Sequence, residues 1–119
     1  MPLQRRRLGH VRFPVRVPAL MVEAAKPWGP PTPGETRNIS RGGVRLRVEG
    51  ATIASDQVVV TLRLASHLPP TLSGTVVWSA AQPDTPGRDL GIQFTTEIPR
   101  RLVAEIAYEG FRGSAEPAE

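Results

Sequence analysis

Asn38-Ile39-Ser40-Arg41-Gly42-Gly43-Val44-Arg45-Leu46-Arg47-Val48-Glu49 holds a turn and a strand in one short run. Its second half alternates strictly, with Val44, Leu46 and Val48 on one face and Arg45, Arg47 and Glu49 on the other. That period of two is the signature of a half-buried strand. Ahead of it, Asn38 and Ser40 are residue types that hydrogen-bond their own backbone in a tight turn. Gly42 and Gly43 are suited to supply a left-handed backbone there. Working outward, 13 prolines and 11 glycines cut the chain into short pieces, which excludes long helices over most of it. Apolar, β-branched runs at residues 15–24, 58–64, 72–80 and 90–94 read as further strands, and residues 36–39 could add a short one. Pro18 confines the first run to an edge or a bulge. The segment 25–35 is too rich in proline for regular structure and is expected to be a loop spanning the first hairpin. Residues 99–109 place Ile98, Leu102, Val103 and Ile106 at helical spacing, with Pro99 in the first turn and Gly110 at the stop. Short strands at this spacing with one closing helix predict a mainly β domain, an antiparallel barrel or sandwich.

The length of 119 residues supports one domain with one core. No apolar run reaches the ~18–20 residues that a membrane helix needs, so no membrane insertion is expected. The absence of cysteine excludes disulfides, thiolate metal sites and thiol nucleophiles, and fits a cytoplasmic domain, free or within a larger chain. Charge is uneven. The first 16 residues hold Arg5, Arg6, Arg7, Arg12 and Arg16 without an acid, while the remainder sums to −1. Residues 1–14 therefore read as a basic arm, residues 15–110 as the barrel with its helix, and residues 111–119 as a tail expected to be disordered. Such an arm points to an anionic partner.

The chemistry of an enzyme is missing. His10 and His67 stand in separate segments without ligand spacing, so no metal site is expected. None of the three aspartates is placed with a histidine as a triad or acid–base couple. Neither a Walker sequence nor GxGxxG occurs. Ser40 lies between strands and not in a strand-to-helix elbow. A non-catalytic binding module is the stronger reading, with no cofactor. Arg41, Arg45 and Arg47 either extend an anion-facing surface or form a solvated strand face. Trp78 reads as barrel packing. Trp28, in the proline-rich loop, could contact a partner protein, cap a base or anchor its loop.

Two short motifs carry more when taken together. Arg12-Phe13-Pro14-Val15-Arg16 is RxxxR at the end of the basic arm, and Asn38-Ile39-Ser40-Arg41-Gly42-Gly43 is [D/N]xSxxG ahead of the alternating strand. In this order, followed by Gly74-Thr75-Val76-Val77-Trp78, Leu90-Gly91-Ile92-Gln93-Phe94 and a C-terminal helix, the chain resembles a PilZ domain from about residue 7 to about residue 108. The resemblance implies a six-stranded antiparallel β-barrel of split-barrel type with one C-terminal α-helix. It implies the bacterial second messenger cyclic di-GMP as ligand, held by Arg12, Arg16, Asn38, Ser40 and Gly43. In that role Gly43 would let the backbone approach the ligand. A one-residue shift of the motif would pair Arg7 with Arg12 in place of Arg12 with Arg16. The function implied is a receptor that relays ligand level to a partner protein or a neighbouring domain. The alternatives are a PilZ-fold adaptor that binds protein and not nucleotide, and a nucleic-acid-binding barrel. The last is disfavoured because the body outside the arm is net acidic and only six aromatics are available for stacking.

Overall fold

The computed structural model describes residues 11–50, 55–65, 69–81 and 86–115. In chain order the elements are β1 (Phe13–Pro14), β2 (Pro18–Glu23), β3 (Thr32–Ile39), β4 (Gly43–Glu49), β5 (Gln57–Leu62), β6 (Thr71–Ala81), β7 (Gly87–Phe94) and the helix α1 (Arg100–Ala115). Neighbouring strands run antiparallel in the order β3-β2-β5-β6-β7-β4, and a further β3–β4 pairing closes these six into a barrel. The short β1 adds to the far end of β3.

Alternation decides what faces inward. Val44, Leu46 and Val48 of β4, Val58, Val60 and Leu62 of β5, and Leu90, Ile92 and Phe94 of β7 are all buried in one core. The helix completes that core with Val103 and Ile106, joined by Ile98 from the segment before it. It begins where the Leu102 and Val103 amides donate to the Pro99 carbonyl.

Several boundaries differ from expectation, each for a reason of packing. Strand β3 begins at Thr32, inside the segment expected to be loop. Pro33 is tolerated because the β3–β4 ladder starts only at Gly34, so Pro33 has β2 alone beside it. Strand β7 starts at Gly87, ahead of the expected residue 90, because β4 and β6 both pair with its opening residues. The run 15–24 becomes a strand only at Pro18, a first position where a missing amide hydrogen is tolerated. Val15 and Val17 are nonetheless core residues.

What holds Val15 and Val17 in place is a buried threonine. The Thr36 hydroxyl accepts from the Val17 amide at 2.8 Å and donates to the Val15 carbonyl at 2.6 Å. Backbone bonds from the Val15 amide to the Arg37 carbonyl and from the Thr36 amide to the Val17 carbonyl flank it. The arm thus meets the barrel earlier than residue 15, since Phe13 and Pro14 already pair with Ile39 and Asn38.

Gly110 does not stop the helix, which continues to Ala115, into the segment expected to be a tail. Residues 116–119 lie outside the described residues. Gly110 sits on the same buried stripe as Val103 and Ile106, and a Cβ there would come 1.9 Å from Val15 Cγ2. The glycine brings the helix close to the arm-proximal chain.

Candidate ligand-binding face

The turn between β3 and β4 is built by the residues that single it out in sequence. The Ser40 amide donates to the Gly43 carbonyl at 2.9 Å, and the Ser40 hydroxyl accepts from the Gly42 amide at 3.2 Å. The turn is also tied to the far side of the sheet. Its Gly42 and Arg41 carbonyls accept from the Phe94 and Ile98 amides, and Arg41 Nε donates back to the Ile98 carbonyl at 3.1 Å. Neither Gly42 nor Gly43 is left-handed; among the described residues the positive-φ glycine is Gly50, at +67°. Gly43 has a different constraint. A Cβ on it would lie 2.4 Å from the Ile92 carbonyl oxygen, so glycine is needed there for β4 to lie against β7.

Register then assembles a surface on the outside of the barrel. Pro14 pairs with Asn38, Asn38 with Arg45, Arg45 with Gly91, and Gly91 with Trp78. This row crosses β1, β3, β4, β7 and β6, about 19 Å at the usual strand spacing. The neighbouring row runs Gly43, Gln93, Thr75, Gln57, with Gln57 donating to the Thr75 hydroxyl at 3.1 Å. Arg12 immediately precedes β1, whose Phe13 and Pro14 pair with Ile39 and Asn38 at the end of β3 that leads into the serine turn. The chain at Arg12 thus enters at the end of the face that carries Asn38, Ser40 and Gly43, with Trp78 at the other end. Trp78 is 43% exposed, and its indole lies directly on the Gly91 backbone, where a Cβ would meet Nε1 at 2.1 Å.

Arg16 is placed elsewhere. It stands four residue steps from Arg12, a span of about 13 Å for extended chain. It lines a cleft of about 340 Å³ with Pro14, Val15, Arg37, Gly110 and Phe111, where the arm meets the end of the helix. Arg7 lies outside the described residues. The strand arginines are not a merely solvated face. Arg41 approaches Glu97 at 3.5 Å, Arg45 binds Asp89 at 2.5 Å, and Arg47 stands 4.0 Å from the same acid. Asp89 was not singled out in the sequence, nor was Thr36. Thr36 lies between Glu35 and Arg37 and Asp89 follows Arg88, ordinary polar neighbours, and only cross-strand partners reveal what they bind. Among the described residues no group of acids and histidines could hold a metal ion.

The sequence profile of the PilZ domain family matches residues 4–108, and the chain belongs to that family. It is a family of cyclic di-GMP receptors whose domains are generally non-catalytic. Among solved structures, the chain is similar to the Bacillus subtilis inhibitor of motility MotI/DgrA, with a TM-score of 0.60 and 13% identity. That alignment covers 91% of this chain and 52% of the other, so the chain spans about half the length of that protein. It is also similar to the PilZ domain of CeSA from a cellulose-synthesizing bacterium, with a TM-score of 0.54 and 17% identity over 87% of this chain and 98% of that one. Both likenesses concern the fold. No curated protein matches the chain. Among the described residues no helix is long and apolar enough to cross a membrane.

Proposed function

We propose that this chain is a non-catalytic cyclic di-GMP receptor of the bacterial cytoplasm that relays ligand level to a partner protein or a neighbouring domain. The observation that supports this reading best is the pairing of β1, directly after Arg12, with Asn38 and Ile39 beside the serine turn, at one end of an outward face that ends on Trp78. Cyclic di-GMP offers guanine O6 and N7 acceptors, N1 and N2 donors, two flat bases and two phosphates. An arginine fork matches O6 and N7, and its plane also stacks on a base. The Asn38 amide carries both a donor and acceptors for the remaining guanine edge. A half-exposed indole suits a second base.

Calorimetric titration with cyclic di-GMP tests the reading, with GTP and single-stranded DNA as competitors. Saturable binding is expected, with GTP far weaker because it presents one guanine. Arg12→Ala should cost about 1–3 kcal/mol of affinity, the value of one bidentate guanine contact. Arg63, exposed just past the end of β5 opposite to Gln57, is the control. Equal loss at Arg63→Ala would mean that the ligand responds to net charge and that this site is wrong. Comparing Arg7→Ala with Arg16→Ala decides which arginine accompanies Arg12. If no binding is seen at high-micromolar ligand, the adaptor reading takes over. One observation favours that reading: Trp28 is 81% exposed on a turn closed by the Gly29 amide donating to the Lys26 carbonyl.

A further inference from the structure

Asp89 is an acid only 3% exposed, set in β7 beneath a face that carries arginines. Burying a carboxylate costs several kcal/mol unless hydrogen bonds and countercharge offset it, so an acid in this place needs a partner. Arg45 is that partner. Its Nε and Nη2 both donate to Oδ2, at 3.2 and 2.5 Å. The other oxygen, Oδ1, accepts no hydrogen bond, and the nearest cation on that side is Arg47 Nε at 4.0 Å. The arrangement is lopsided: two donors crowd one oxygen, where a bidentate arginine–carboxylate pair puts one on each.

The consequence is a guanidinium fixed from one side and open on the other. Among the described residues Arg45 Nη1 makes no hydrogen bond, and the side chain is 42% exposed. The Trp78 ring lies 5.5 Å from its Cζ, and Asn38 is its cross-strand partner. Arg45 is thus held between the two ends of the face described above. A guanidinium already immobilised by a buried acid loses little further freedom on meeting an anion, which favours binding.

We infer that Arg45 is a ligand-contacting residue, directing Nη1 to an anionic oxygen of a phosphodiester, and that Asp89 is the positioning residue that aims it. This rests on the cyclic di-GMP reading. The test is calorimetric titration of the full chain with cyclic di-GMP for the wild type, Arg12→Ala, Arg45→Ala, Asp89→Asn and the Arg45→Ala/Asp89→Asn double variant. Loss of a charge-assisted hydrogen bond predicts roughly a tenfold to hundredfold weaker affinity for Arg45→Ala. Asp89→Asn should lose severalfold in the wild-type background and nothing more once Arg45 is gone, because its effect passes through Arg45. In a Trp28→Phe background, Trp78 emission should shift on Asp89→Asn before any ligand is added, which a general loss of stability does not produce. Should Asp89→Asn not fold, Arg45→Lys carries the test, since it keeps the charge, loses the fork and should weaken binding severalfold.

Arg45→Ala binding like wild type while Arg12→Ala binds weakly would overturn the inference and leave the receptor reading intact. An Asp89→Asn loss of equal size with and without Arg45, or an unmoved Trp78 emission, would remove the positioning role. A wild type that does not bind at all would remove the receptor reading and the role of Arg45 with it.

Discussion

Gly43→Ala separates two accounts of the same glycine. If Gly43 serves ligand approach, alanine should spare the fold and weaken binding. The structure assigns it to the sheet, because an added Cβ would stand 2.4 Å from the Ile92 carbonyl oxygen. An ordinary carbon–oxygen contact is about 1 Å longer, and the obstacle is backbone, so β4 must move away from β7 at this point. Overpacking of this kind costs about 1–3 kcal/mol. The displaced residue also accepts the Ser40 amide, and its neighbour Gly42 accepts the Phe94 amide. Weakening one of those bonds adds about 0.5–1.5 kcal/mol, for a total of roughly 1.5–4.5 kcal/mol. For a domain of this size that corresponds to a fall in Tm of roughly 6–18 °C. The assay is thermal unfolding of the unliganded protein followed by circular dichroism, with urea titration as a second measure. A Gly43→Ala protein that unfolds within a degree or so of wild type, and loses only ligand affinity, would refute the packing argument.

Thr36→Val keeps shape but leaves the buried Val17 amide and Val15 carbonyl without their side-chain partner. It should cost about 1–3 kcal/mol in urea unfolding, the desolvation penalty of an unmade bond. Gly110→Ala sets a gain of ~1 kcal/mol in helix propensity against a collision with Val15. Overpacking of about 1–3 kcal/mol should prevail and lower Tm, and a rise would show that the helix can shift freely on the barrel. Deleting residues 1–12 should leave a dispersed NMR spectrum, since Val15 is the first buried side chain among the described residues, while abolishing nucleotide binding. A collapsed spectrum would make the arm part of the fold.

The inward and outward faces of this barrel were legible from sequence because alternation is a property of the extended chain itself. Val44, Leu46 and Val48 point the same way whatever stands beside them. The helical stripe of Val103 and Ile106 was readable for the same reason, as was a turn at residues 38–43. Register is a different matter, since it is set by burial between segments far apart in the chain. No local pattern pairs Pro14 with Asn38, Asn38 with Arg45 or Gly91 with Trp78, and those pairings make a face out of scattered residues. Arg12 and Arg16 are equivalent as letters of RxxxR, yet the tertiary structure sends one to the serine turn and the other to the end of the helix. The same holds for the glycines. Gly43 and Gly110 read locally as a turn residue and a stop, but each stands where another part of the chain comes too close for a Cβ. Close approach is decided by the neighbour, and the neighbour is known only once the chain has folded.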